Sequence, residues 1–200
     1  HTKQYRYNYF TGRVDKSASF EITGASVGLA KRLRIPDDYF TLSQSLAYQY
    51  YNLNNYYTGL FPFGDGSSNN LSYTVALSRN NTFTNPIFPL GGSEFVLSAR
   101  FSLPYSLWNG VDYANLGDLE KFQDDDGNPD PAKIEQEKFK WLEFYKIKFK
   151  GSWYTRLFDK LVLRTHTEFG FLGAFNNDRG VIPFDRFFLG GDGMSQYAMD

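Results

Sequence analysis

From Leu71 the chain alternates without a break: Leu71, Tyr73, Val75 and Leu77 fall on one parity, and Ser72, Thr74, Ala76 and Ser78 on the other. Successive side chains of a strand point to opposite faces, so this run predicts a strand with one apolar and one polar face. The pattern recurs. Phe95, Leu97, Ala99, Phe101 and Leu103 oppose Glu94, Ser98, Arg100 and Ser102, with Val96 off register; Phe40, Leu42, Leu46, Tyr48 and Tyr50 oppose Thr41, Ser43, Ser45 and Gln49, with Gln44 as the exception. Tyr145, Ile147, Phe149 and Trp153 stand against Lys146, Lys148, Lys150 and Ser152, while Leu161, Leu163, Phe169, Phe171 and Phe175 stand against Arg164, His166 and Glu168. A sixth strand is predicted over 25–35, with Val27, Leu29, Leu33 and Ile35 set against Ser26, Gly28, Ala30 and Arg32. Before Gly24 no register is clear, and no element is predicted for His1 to Thr23.

The connections choose among architectures, because they alternate in length. Pro36 to Tyr39 and Arg156 to Lys160 are short; Asn52 to Asn70 and Pro104 to Lys138 are long and polar; the Pro-containing stretch up to Gly92 is intermediate. From Asn176 onward another long connection begins, and the stretch "RFFLGGDGMSQYAMD" reads as an open loop, as in a piece of something longer. Strands of about ten residues, with tight turns at one end and long loops at the other, are the signature of an outer-membrane barrel. A soluble β-sandwich or propeller also has two-faced strands, but they are usually about five or six residues long. The expected fold is therefore all-β: a transmembrane antiparallel β-barrel, of which residues 1–200 supply about six strands within one barrel domain. Short turns are expected on the periplasmic side and long loops outside the cell.

Composition agrees with that choice. Phe, Tyr and Trp make up 19% of the 200 residues beside a mean hydropathy of -0.47. Rings gather at both ends of the strands: Tyr39, Phe83, Phe88, Trp153 and Phe158 by the short connections, and Tyr48, Tyr50, Trp108, Trp141 and Phe175 by the long ones, as two interfacial girdles would. A net charge of -1 gives no footprint for nucleic acid, and the absence of cysteine excludes disulfides and thiolate metal sites. No apolar run is long enough for a transmembrane helix.

Three clusters carry polar chemistry. Arg164, His166 and Glu168 share one face at period two; a Ser-His-acid hydrolase would need a serine that spacing does not supply, and a lumenal ladder of alternating charge accounts for the same residues. Lys146, Lys148 and Lys150 share a face that is expected to look into the lumen, together with Arg164, His166 and Glu168. In "DDDGNPDPAKIE", Asp124, Asp126, Asn128, Asp130 and Glu135 occupy positions one, three, five, seven and twelve of an EF-hand-like calcium loop. Pro129 takes the position where that turn needs glycine, which favours a solvated acidic loop. Neither catalysis nor a cofactor is expected.

The stretch "FDRFFLGGDGMSQY" resembles the sixth extracellular loop of the BamA family of outer-membrane assembly factors, with Arg186, Phe187, Phe188, Gly190, Gly191 and Gly193 in the approach to its tip. The Arg-Gly tip itself is not in these residues. "IFPLGG", Ile87 to Gly92, is similar to a turn between two middle strands of that family, and Gly24 to Tyr51 to the strand, turn and strand before it. The acidic insert and the abundant Tyr look closest to members from Bacteroidota. The resemblance implies a barrel of about sixteen strands with periplasmic POTRA domains and the remaining strands outside these residues. It further implies an insertase that folds other barrels into the outer membrane, whose partners are outer-membrane lipids, nascent β-barrel clients and lipoprotein subunits of an assembly complex. The alternatives are a related two-partner secretion transporter, a passive porin and a soluble β binding domain.

Overall fold

A computed structural model describes residues 1–8, 10–57, 61, 63–82, 89–159, 161–182 and 187. Seven strands form one sheet in chain order: β1 (Thr2–Asn8), β2 (Arg13–Arg32), β3 (Phe40–Asn54), β4 (Gly66–Asn80), β5 (Gly92–Ser102), β6 (Tyr145–Phe158) and β7 (Leu161–Gly173). Every neighbouring pair is antiparallel. All six strands read from the alternation are present, although β2 ends at Arg32 and leaves Leu33 and Ile35, read as part of it, in the connection. The seventh, β1, and the first half of β2 lie in the stretch where no element is expected from sequence. A register shift between Tyr5 and Arg6 breaks the parity there, and charged pairs such as Arg6 with Asp15 at 2.7 Å replace the apolar face. Alternation cannot report such a ribbon.

Register converts the sequence pattern into two walls. Leu42, Leu77, Leu97, Phe149 and Phe169 are cross-strand partners in one row from β3 to β7, and Leu46, Tyr73, Phe101 and Tyr145 form another. This face leaves Leu29 79% and Phe171 61% exposed, which a surface in water would not sustain over such a width but hydrocarbon would. Gln44 also points outward, and the Tyr73 hydroxyl donates to its Oε1 at 2.7 Å. That bond satisfies the amide oxygen where no water is at hand. The opposite, inner face carries Ser43, Ala76, Ser98, Lys148 and Gly170 in the matching row.

Toward the long connections the two faces exchange character. Glu21, Asn52 and Ser67 now point outward in register, while Phe20, Ile22, Tyr51 and Leu53 point inward. The inward rings and aliphatic chains meet Phe61, Phe63, Phe139, Leu142, Phe144 and Ile182 in one buried cluster. The long connection after β5 is therefore not the solvated loop its polarity suggests. It holds three 3-10 turns and a helix, α1 (Pro131–Phe139), whose first turn is capped by Asp130 accepting from Ala132 and Lys133 N–H, with proline at the first helical position. Leu142 N–H donates to the Asn69 carbonyl at 2.8 Å, Asn69 N–H to the Lys140 carbonyl at 2.8 Å, and the Ser68 hydroxyl to the Phe139 carbonyl at 2.5 Å. A second cluster of Tyr113, Leu116 and Phe122 lies within the same connection. Together these pieces make a cap over the inner face.

The strands also run further than the alternation shows, so the connection read as Asn52 to Asn70 shrinks to residues 55–65. The Trp141 and Tyr105 rings meet at a tilt, 4.7 Å between centroids, within the cap, whereas Tyr145 and Phe175, 5.4 Å apart, remain at the wall. At the other end β2–β3 and β6–β7 are joined by short connections, residues 33–39 and 159–160. Arg79 holds Asp37 of the β2–β3 turn at 2.8 Å and donates to Ser93 at 2.7 Å. Gly92 adopts φ +97 there, and a Cβ on it would meet the Asn81 carbonyl at 2.6 Å.

Candidate functional site on the inner wall

Strands β5 to β7 give the inner face its charge. Lys146, Lys148, Lys150, Arg164, His166 and Glu168 all stand on the face that the cap covers. Glu168 is shared: Lys148 approaches it at 2.9 Å, and Lys150 and His166 each at 3.8 Å. The result is a ladder in which one carboxylate serves three basic groups.

The structure supplies the serine that spacing did not. Ser152 Oγ lies 2.9 Å from His166 Nδ1, because β6 and β7 pair these residues directly. A register shift between Arg156 and Phe158 would have put Thr167 opposite Ser152 for anyone counting back from the turn. The trio is nevertheless poorly set for nucleophilic catalysis, since Ser152 is 2% exposed and its hydroxyl also accepts from Arg164 Nη2 at 3.3 Å. Glu168 is beyond hydrogen-bond reach of the ring. The arrangement works as a polar lattice.

Beyond β7 the chain turns back over this wall. Arg179 and Glu143 form a buried ion pair at 2.6 Å, with side chains 4% and 2% exposed. Ile182 enters the cap cluster. Phe187 then reaches the inner face, where its ring lies 4.6 Å from Lys146 Nζ. Gly170 makes room for it: a Cβ there would sit 2.2 Å from the ring. The other residues singled out in this loop, Arg186, Phe188, Gly190, Gly191 and Gly193, lie outside the described residues. Sequence reasoning missed Glu143, Gly170 and Arg179, none of which stands out from its neighbours by type or spacing.

The acidic stretch does not assemble into a calcium loop. Asp124 Oδ1 accepts from the N–H groups of Asp126 and Asn128 at 3.0 and 2.8 Å, closing a local turn around Gly127 at φ +82. Asp130 is committed to capping the helix that carries Glu135. Among the described residues no three His, Cys, Asp or Glu come together in a group that could hold a metal ion.

An antiparallel sheet in consecutive order, apolar outside at mid-height, polar inside and covered from one end, is the wall of a partial outer-membrane β-barrel. Residues 2–195 match the Omp85 superfamily domain, and the chain belongs to that superfamily. Its members are outer-membrane proteins and include both the BamA family and two-partner secretion transporters. No curated protein shows a significant match to the chain.

Proposed function

We propose that the chain is part of an assembly factor that folds β-barrel proteins into the bacterial outer membrane, with its short turns in the periplasm and its capped loops outside the cell. The reading rests on the return of the segment after β7 to the inner wall, where Phe187 lies on Gly170 and beside Lys146. In a passive pore an aromatic side chain on the inner wall would only narrow the passage. An assembly factor gains from it, because a loop held against the inner wall can couple the lumen side to the strands that receive a client. Such work requires no bond chemistry: an exposed strand edge elsewhere in the barrel templates the incoming strand by β-augmentation. Nascent barrels, outer-membrane lipids and accessory lipoproteins are the partners of this function, and no cofactor enters it. A secretion transporter would share the wall, and its clients would cross the pore instead of entering the bilayer.

The test is a depletion strain complemented with the full-length protein carrying Gly190→Val and Gly191→Val. We expect the variant to insert and fold while other outer-membrane barrels decline in amount. Normal client levels beside a stably folded variant would overturn the assembly reading.

A further inference from the structure

We infer that Arg179 and Glu143 are a positioning pair that sets where the segment after β7 enters the interior and so seats Phe187, an inference that rests on the assembly role just proposed. Arg179 Nη1 donates to Glu143 Oε2 at 2.6 Å, Nε and Nη2 donate to the Lys138 carbonyl at 3.1 and 2.5 Å, and Nη2 also donates to the Trp141 carbonyl. Its guanidinium lies 4.8 Å from the centre of the Tyr113 ring. Glu143 in turn accepts from the Ser106 N–H at 2.8 Å and the Ser106 hydroxyl at 2.7 Å. The fork is thereby gripped from the start of the long connection, from the end of α1 and from the residues just before β6.

Two kinds of contact hold the segment, and they do different things. Ile182 is 1% exposed in the cap, and burial of an aliphatic side chain is not directional, so it keeps the segment down without fixing its register. A planar guanidinium with its donors committed to three separate acceptors has one placement. A buried ion pair adds little net stability over a well-packed apolar pair of the same volume, so its gain here is orientation. The tolerance is narrow. Slippage of the anchor by one residue would move the following chain by about 3.3 Å, enough to carry the Phe187 ring off the space that Gly170 leaves open by lacking a Cβ.

The chain has no cysteine, so a Gly170→Cys, Phe187→Cys pair in the full-length protein in outer membranes reports the seating directly as disulfide yield. The yield is compared in the parent, in an Arg179→Met, Glu143→Leu background and in Arg179→Lys, with barrel folding followed by heat-modifiable gel mobility. Client levels are followed for the same Arg179 and Glu143 substitutions in the cysteine-free protein. We expect the apolar double background to fold, to lose several-fold in disulfide yield and to lower client levels, and Arg179→Lys to behave likewise because it keeps the charge but not the fork. Parental yield in either folded background would overturn the positioning role. If the apolar double background does not fold, Arg179→Lys alone decides. Lost yield with normal client levels would leave the positioning pair standing and remove the assembly role on which its purpose rests.

Discussion

The middle of each strand and its long-connection end obey opposite rules on the same two faces. At mid-height Leu46 and Tyr73 point out and Ala47 and Ser72 point in; at the capped end Glu21 and Asn52 point out and Phe20 and Leu53 point in. The backbone is the same ladder throughout. What changes is the solvent: hydrocarbon outside the middle, water outside the end, and protein over the inner face only where the cap lies. Amphipathicity therefore marks the surroundings of a strand, and the row where it inverts marks where the outer apolar band stops. Tyr48 and Tyr50 stand near that row, with the Tyr48 hydroxyl donating to Asn69 Oδ1 at 2.7 Å, as an interfacial ring should.

The comparison breaks most visibly under charge. In the full-length protein Val75→Arg is expected to destabilise by about 2–4 kcal/mol, as arginine does on the lipid face near the midplane, and Ala76→Arg by much less. Denaturant unfolding in lipid vesicles measures both, and equal costs would mean that the outer face is assigned wrongly. At the capped end the rule should reverse on adjacent residues. Leu53→Asn buries an unpaired amide in the cap cluster at about 1–3 kcal/mol, while Asn52→Leu should stay within about 0.5 kcal/mol. If position 52 proves the sensitive one, the inversion lies elsewhere.

The smallest effect belongs to the turn end, which has an ion pair in place of a cap. Hydrogen bonding from Arg79 holds the Asp37 carboxyl below its ordinary value of 3.8, with the Tyr39 N–H adding to it. A depressed folded-state value means that the contribution is complete above 3.8 and is lost as pH falls through the lower one. Thermal unfolding followed downward from neutral pH should show a small acid-dependent loss that Asp37→Asn reduces; solvent screening keeps it small. An unchanged profile in Asp37→Asn would mean the pair does not fasten the turn.

The strand middles were legible because one face meets lipid, and a period of two survives wherever the two sides differ. His1 to Thr23 was not legible, since a bulge between Tyr5 and Arg6 resets parity and the apolar Phe20 and Ile22 stand on the inner face, where the pattern has already inverted. Nor was the cap: Phe61, Phe63, Leu142 and Phe144 lie in connections with no period, and their burial depends on a patch assembled from β2 and β3. The face shared by Lys146, Lys148 and Lys150 could be read, whereas the pairing of Ser152 with His166 needed the hairpin register. Arg179 and Glu143 are 36 residues apart in sequence, and no local pattern joins them.

The cap has a consequence for folding order. Adjacent hairpins close over short stretches of chain, but the Ser68 hydroxyl meets the Phe139 carbonyl across 71 residues, so cap closure comes late. It also requires a finished template, because slipping β3 by one residue would turn Tyr51 and Leu53 outward and leave Phe61, Phe63 and Phe144 nothing to cover. Closure of the cap therefore depends on register: only a wall whose strands are paired as they are here presents the patch that the cap covers.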